Sequence, residues 1–180
     1  MPLAVWIIAA ILALLLQSKL SLFECPVNLA VAVVYAFGIN SAMMKHSAAT
    51  GSADVSAEMK ATFFGAVVGL IEDGMTGSII GPNVLSKGLV GFISSFVFRD
   101  IFFLWESSLG GIVLCLLTMV DVSIALGVRL LFSNIVTGGR AVVELIIIQA
   151  IMNIPIGLLV KPGQKDTASE QIWFRKRKYN

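Results

Sequence analysis

Two adjacent carboxylates, Glu72 and Asp73, lie within the otherwise apolar stretch GAVVGLIEDGMTGSIIG at residues 65–81. Such groups are costly in a bilayer, because insertion scales assign about 2.5–3.5 kcal/mol to an acid near the centre of a spanning helix. An acid kept there faces protein rather than lipid, where it holds a cation, shares a proton or accepts hydrogen bonds. The chemistry of this chain is therefore expected where its helices meet.

A third acid, Asp121, lies in another apolar stretch. Together with Asp73 it suggests the shared-proton pair of an intramembrane aspartyl protease. The flanking patterns of such proteases are missing, so an interhelical hydrogen bond is the expected role of Asp121. His46 is the only histidine, and Cys25 and Cys115 lack metal-ligand spacing. The sequence predicts no catalytic residue, no metal and no cofactor, since it also has no phosphate-binding or dinucleotide-binding glycine motif.

The composition indicates a membrane protein. Of the 180 residues 57% are hydrophobic and 13% are charged, and the mean hydropathy is +0.91. Soluble domains contain about 45–50% apolar and about 25% charged residues. The fold class predicted from these values is all-α, with a polytopic bundle of transmembrane helices.

Six apolar stretches are long enough, or nearly so, to cross a bilayer of about 30 Å. Breaks at Pro26, at Gly81-Pro82-Asn83 and at Gly138-Gly139 separate several of them. The predicted spans are residues 2–16, with a possible extension to 23, then 27–44, 61–80, 84–98, 109–131 and 141–160. Residues 1–162 form a single integral membrane domain in this interpretation, and residues 163–180 form a basic cytoplasmic tail.

The distribution of basic residues orients the bundle. Six crossings put both termini on one side, and with the termini cytoplasmic, nine of the 13 Lys and Arg residues lie inside. The four outside are Lys19, Lys87, Arg129 and Arg140. The tail residues Arg175, Lys176, Arg177 and Lys178 carry much of this asymmetry, and their position beside a span favours anionic lipid headgroups over nucleic acid.

Small residues line one face of the third span. Gly65, Gly69, Asp73 and Gly77 recur every four residues, which places them on a single helical stripe. Such a stripe lets another helix backbone approach closely. Asp73 is expected to accept hydrogen bonds from a neighbouring helix or from unwound backbone near residues 77–81. Glu72 is rotated by about 100° from it and is expected to be the more dispensable acid.

The motif that contains this stripe resembles the signature region of the rod-shape-determining protein family MreD. The similar residues are Gly65, Gly69, Asp73, Thr76, Gly77 and Gly81, followed by Leu85, Gly88 and Gly91. Gln149 and Asn153 in ELIIIQAIMNIPIGLLV resemble polar positions of the family's final helix. The family pattern usually has Ser at the place of Thr76, and it offers no role for Glu72.

The resemblance implies a non-enzymatic, multi-pass protein of the bacterial inner membrane that maintains cell shape. Its partners would be an MreC-like bitopic protein, the elongation-specific penicillin-binding protein and glycosyltransferase, the MreB cytoskeleton and membrane lipid. Its fold would be similar to the six-helix substrate-binding subunits of energy-coupling-factor transporters. The residues assigned to helix packing or partner binding are Gly65, Gly69, Asp73, Thr76, Gly77, Gly81, Gln149 and Asn153.

The alternative function follows from that fold relationship. A substrate-binding membrane subunit of an energy-coupling-factor vitamin transporter has about the same length and number of spans, and a carboxylate in the membrane can hold a cationic vitamin. Aromatic residues usually line such pockets, whereas Trp6, Trp105 and Trp173 fall near membrane edges or in the tail.

Overall fold

Six α-helices make up the described part of the chain, which in this computed structural model comprises residues 3–22, 27–47, 57–77, 79–101, 107–132 and 139–160. The helices are α1 (Leu3–Leu22), α2 (Leu29–Ser47), α3 (Ala57–Thr76), α4 (Pro82–Ile101), α5 (Ser107–Phe132) and α6 (Gly139–Leu159). Each predicted span corresponds to one of them, so the all-helical prediction is confirmed. The tail at 163–180 and the connector containing residues 48–56 lie outside the described residues.

The third helix differs from the predicted span of 61–80. It begins at Ala57 and ends at Thr76, because Gly77 has a φ of 61°, which a right-handed helix cannot continue. Gly81 has a φ of 135°, and Pro82 then begins α4 at a position where its missing N–H costs nothing. The α3–α4 turn therefore comes earlier than predicted and is longer, because residues 77–81 separate the two helices where the predicted break was residues 81–83.

Three of the six helices are long and apolar enough to cross a membrane by length and composition. These segments are Leu3–Leu20, Leu109–Phe132 and Val142–Leu159. α2 and α4 contain the shorter apolar segments Leu29–Ala42 and Pro82–Phe98. α3 carries four charged residues, Glu58, Lys60, Glu72 and Asp73. α2, α3 and α4 are thus the less apolar helices of the bundle.

The core forms where α2 and α4 pass through the bundle. α4 packs on α2, α3 and α5, while α1 packs on α2 and α6 packs mainly on α5. Phe37 stacks on Phe64 with ring centroids 4.1 Å apart, and Trp6 and Phe37 form a T-shaped pair with ring centroids 5.5 Å apart. Large apolar side chains on α1 and α6 point outward instead. An exterior this apolar is typical of a surface that contacts lipid or protein.

Candidate functional site

A group of charged and polar side chains is buried between the helices. We call it the polar cluster, and it consists of Gln17, Asn28, Glu72, Lys87, Thr118, Asp121 and Asn153, which come from all six helical segments of the described chain. Three of its members are ionisable. Since buried charges are stable only when they are paired and hydrogen-bonded, the contacts of these three determine what the cluster can do.

Lys87 is the centre of the polar cluster. Its side chain is 0% exposed, and its Nζ lies 2.5 Å from Glu72 Oε2 and 3.5 Å from Asp121 Oδ2. The ammonium thus joins α3, α4 and α5. The sequence-based orientation counted Lys87 among the outside residues, which is wrong, because Lys87 lies within α4 and not in a loop. Without Lys87 in the count, nine basic residues lie on the predicted cytoplasmic side and three on the other, so the predicted orientation is unchanged.

Glu72 is also placed differently from expectation. Besides its ion pair with Lys87, its Oε1 accepts a hydrogen bond of 3.2 Å from Gln17 Nε2 on α1. The Gln17 carbonyl oxygen in turn accepts from the backbone N–H of Ala30. Through these contacts Glu72 links α1, α3 and α4. The structure therefore does not support the expectation that Glu72 is the more dispensable of the two acids.

Neutral amides hold the other side of the cluster. Asn28 precedes α2, where its Oδ1 caps the helix by accepting from Val31 N, and its Nδ2 donates to Asp121 Oδ2 at 2.9 Å. Asn153 Nδ2 on α6 donates to Thr118 Oγ1 at 2.8 Å, and its Oδ1 accepts from the backbone N–H of Asn28. Asp121 therefore makes the interhelical hydrogen bond that the sequence predicts.

Asp73 belongs to a separate network at the start of α4. Its Oδ2 accepts from the backbone N–H groups of Gly81 at 2.8 Å and Val84 at 3.4 Å, and its Oδ1 accepts from Asn83 N and Nδ2 at 3.3 and 2.8 Å. Three of these donors are free backbone N–H groups at a helix N-terminus, which favours negative charge, and the fourth is the side-chain amide of Asn83. Thr76 Oγ1 donates to the Asp73 carbonyl oxygen at 3.1 Å. Asp73 thus fastens the end of α3 to the beginning of α4.

The glycine stripe faces α4. A Cβ at Gly65 would overlap the backbone carbonyl of Lys87, and one at Gly69 would overlap that of Asn83. On the opposite helix, a Cβ at Gly91 would overlap the carbonyl of Ala61. This contact is internal to the chain. Gly65 and Gly69 are covered by α4 and therefore do not lie on a surface that a partner protein can contact.

The close approach of α3 and α4 predicts a contrast between two glycines of one helix. Gly69→Ala is expected to lower the thermal unfolding midpoint of the purified protein, because the added methyl group separates two backbones. Gly74→Ala is the matched control, since a Cβ there meets nothing within 4 Å and alanine favours the helix by about 1 kcal/mol. Equal midpoints for the two variants would contradict the packing described here.

The remaining predicted residues fall in several places. Gly77 and Gly81 shape the α3–α4 turn, Asn153 is a buried member of the polar cluster, and Gln149 is half-buried on α6. The basic residues 175–178 lie outside the described residues. Sequence reasoning missed Gln17, Asn28, Lys87 and Thr118. Lys87 had a usable signal, since a lysine inside an apolar helix of the same hairpin as Glu72 is a candidate counter-ion.

Asp73 and Asp121 do not form the pair considered for an aspartyl protease. The first is bound by the start of α4, and the second is bound by Asn28 and Lys87. Within the described ranges no group of three His, Cys, Asp or Glu residues is arranged to hold a metal ion.

Comparisons with protein-family models, with curated proteins and with solved structures found no match to this chain. The resemblance to the MreD family therefore depends on the motif residues alone. The similarity to energy-coupling-factor subunits that accompanies it has no support from solved structures.

Proposed function

We propose that this chain is a non-enzymatic scaffold of the bacterial inner membrane, of the MreD type, that packs with an MreC-like bitopic protein. Through it the MreB cytoskeleton would be linked to the elongation-specific penicillin-binding protein and glycosyltransferase, and cell shape would be maintained. The observation that carries this proposal is the role of the motif residues in the α3–α4 hairpin. Gly65, Gly69, Asp73, Thr76 and Gly81 all serve backbone packing or capping there.

A motif whose residues pack and cap helices is typical of a protein with a structural role rather than a catalytic one. Asp73 has both carboxylate oxygens occupied by donors of its own chain, which leaves it no free lone pair directed at a substrate. The hairpin it closes presents outward a set of large apolar side chains, including Phe63 and Leu70 on α3 and Leu85, Leu89 and Phe92 on α4. This outer face of the hairpin, rather than its glycine stripe, is the surface that we propose for a partner helix.

The alternative as a vitamin-transporter subunit is less favoured by the same geometry. Its cationic ligand needs a carboxylate that faces a pocket, whereas Asp73 faces the backbone amides that begin α4. The fold similarity to energy-coupling-factor subunits stays an expectation of the family resemblance.

The proposal includes six crossings with both termini cytoplasmic. Its support is the number of helices, six in the described part of the chain, together with the asymmetry of Lys and Arg residues. In a variant cleared of Cys25 and Cys115, a cysteine replacing Gly138 is expected to react with a membrane-impermeant reagent added outside intact cells. A cysteine replacing Ser169 is expected to stay unlabelled, and the reverse pattern would overturn the orientation.

Affinity purification from native membranes after mild detergent extraction tests the function. The tagged chain is expected to retain an MreC-like bitopic protein and the elongation-specific penicillin-binding protein. Phe92→Ala, on the outer face of the hairpin, is expected to reduce this recovery at unchanged membrane abundance, and Leu131→Ala at the exposed end of α5 is the matched control. Recovery of only a transporter ATPase pair, with no wall-synthesis protein, would refute the proposal.

A further inference from the structure

The polar cluster contains more negative than positive charge. Glu72 and Asp121 are the carboxylates that contact the single ammonium of Lys87, so with all three groups ionised the cluster carries one net negative charge. The groups contributed by α1, by the residue before α2 and by α6 are the uncharged amides of Gln17, Asn28 and Asn153. An unbalanced charge inside an apolar bundle is strongly unfavourable.

Asp121 shows where the imbalance lies. Its Oδ2 accepts from Asn28 Nδ2 and lies 3.5 Å from Lys87 Nζ, whereas its Oδ1 is buried without a hydrogen-bond partner in the described part of the chain. The residue is 1% exposed. Asp73 provides the comparison, because both of its oxygens accept hydrogen bonds. A buried carboxylate oxygen of this kind requires a hydrogen-bond donor or a cation, and the net negative charge of the cluster favours the cation.

We infer that the polar cluster binds one exchangeable monovalent cation, a proton or an alkali ion, at Asp121 Oδ1. The valence follows from the charge balance, since one positive charge neutralises the cluster and a divalent ion would leave it positive. The neighbouring oxygens of the cluster are already occupied, since Thr118 Oγ1 accepts from Asn153 Nδ2 and Asn153 Oδ1 accepts from Asn28 N. Asp121 Oδ1 is therefore the oxygen left for the ion. This site is independent of the partner surface proposed above.

The ion has a route to the cluster at Glu72. The side chain of Glu72 is 13% exposed, whereas those of Lys87 and Asp121 are at most 2% exposed. Glu72 lies four residues before the end of α3, which is about 6 Å along the axis. The cluster is thus reached from the end of the bundle that holds the α3–α4 turn.

Thermal unfolding of the purified full chain in detergent tests the site. One series replaces choline chloride by sodium or potassium chloride at constant ionic strength, and a second varies the pH without alkali ions. An ion that binds only the folded state raises the unfolding midpoint with its concentration. The wild-type midpoint is expected to rise with alkali ion or with proton concentration, and the responsive series identifies the ion.

Two variants remove the charge excess and are expected to remove the response. Asp121→Asn takes away the binding oxygen, and Glu72→Gln leaves Lys87 and Asp121 as a neutral pair. Either variant suffices if the other does not fold. Glu144→Gln, in an exposed ion pair with Arg140 on α6, is the matched control and keeps the wild-type response. Arg129, two turns beyond Asp121 on α5, is the nearest further charged residue on that helix and stays unchanged throughout.

Two results would overturn the inference. In the first, the wild-type unfolding midpoint changes with alkali-ion and proton concentration no more steeply than the midpoints of Asp121→Asn and Glu72→Gln do. The other is retention of the full wild-type response by both variants. Neither result bears on the partner recovery that tests the proposed function.

Discussion

Lys87→Met is expected to cause the largest loss of folded protein among single substitutions in this chain. It removes the ammonium that, within the described part of the chain, contacts both Glu72 and Asp121, and it leaves two carboxylates buried together. Removing one partner of a buried ion pair costs about 3–5 kcal/mol. Membrane abundance, measured by quantitative immunoblotting, and the thermal midpoint in detergent are both expected to fall sharply.

A compensating triple variant distinguishes the loss of charge balance from the loss of side-chain packing as the cause of this effect. The triple variant Lys87→Met, Glu72→Gln, Asp121→Asn contains no charge in the cluster, and it is expected to recover most of the abundance that Lys87→Met loses. Arg140→Met is the control, because the Arg140–Glu144 pair is exposed and such pairs contribute about 1 kcal/mol or less. Wild-type stability of Lys87→Met would show that the cluster does not hold the bundle together.

Asp73→Leu is expected to have the second largest effect. It removes the acceptor for three backbone N–H groups and the Asn83 amide at the start of α4. A buried donor left without an acceptor costs about 1–3 kcal/mol. The α3–α4 turn is therefore expected to open, with a lower thermal midpoint and, in a depletion strain, round cells in place of rods.

Asp73→Asn separates hydrogen bonding from charge at the same position. It keeps the shape and one acceptor oxygen, so partial function is expected if Asp73 acts by capping. Failure equal to that of Asp73→Leu, at normal membrane abundance, would show that the charge itself is required. Glu144→Leu on α6 is the control for loss of an acid. Normal rods with Asp73→Leu at normal abundance would contradict the role described for this residue.

The contrast between Glu72 and Asp73 explains why one carboxylate was easier to interpret from sequence than the other. Asp73 acts over a short distance along the chain, because its donors lie eight to eleven residues later in the same hairpin. Its glycine spacing and the following turn residues were therefore informative. Glu72 finds its partners at Gln17 and Lys87, and the first of these is 55 residues away. No local pattern indicates such a contact.

The identity of the helix that covers the glycine stripe could not be inferred from the local sequence either. The spacing predicts a face on which a helix backbone can approach closely, and such a face exists. Whether that helix belongs to the same chain or to a partner depends on the direction in which the turn after Gly77 sends α4. Here it returns α4 onto the stripe, and Lys87 and Asn83 cover Gly65 and Gly69.

The sequence by itself determined the six helices and the apolar exterior of the protein. Helix length and the positions of helix ends are local properties, set by apolar runs and by residues such as Gly77 and Pro82. Only the tertiary structure decided that Lys87 neutralises Glu72 and contacts Asp121. Those three groups come from three helices, and Asp121 meets Asn28 across 93 residues. The physical reason is that a buried charge is stabilised by whatever surrounds it in space, and the packing of the helices, not their order along the chain, sets those surroundings.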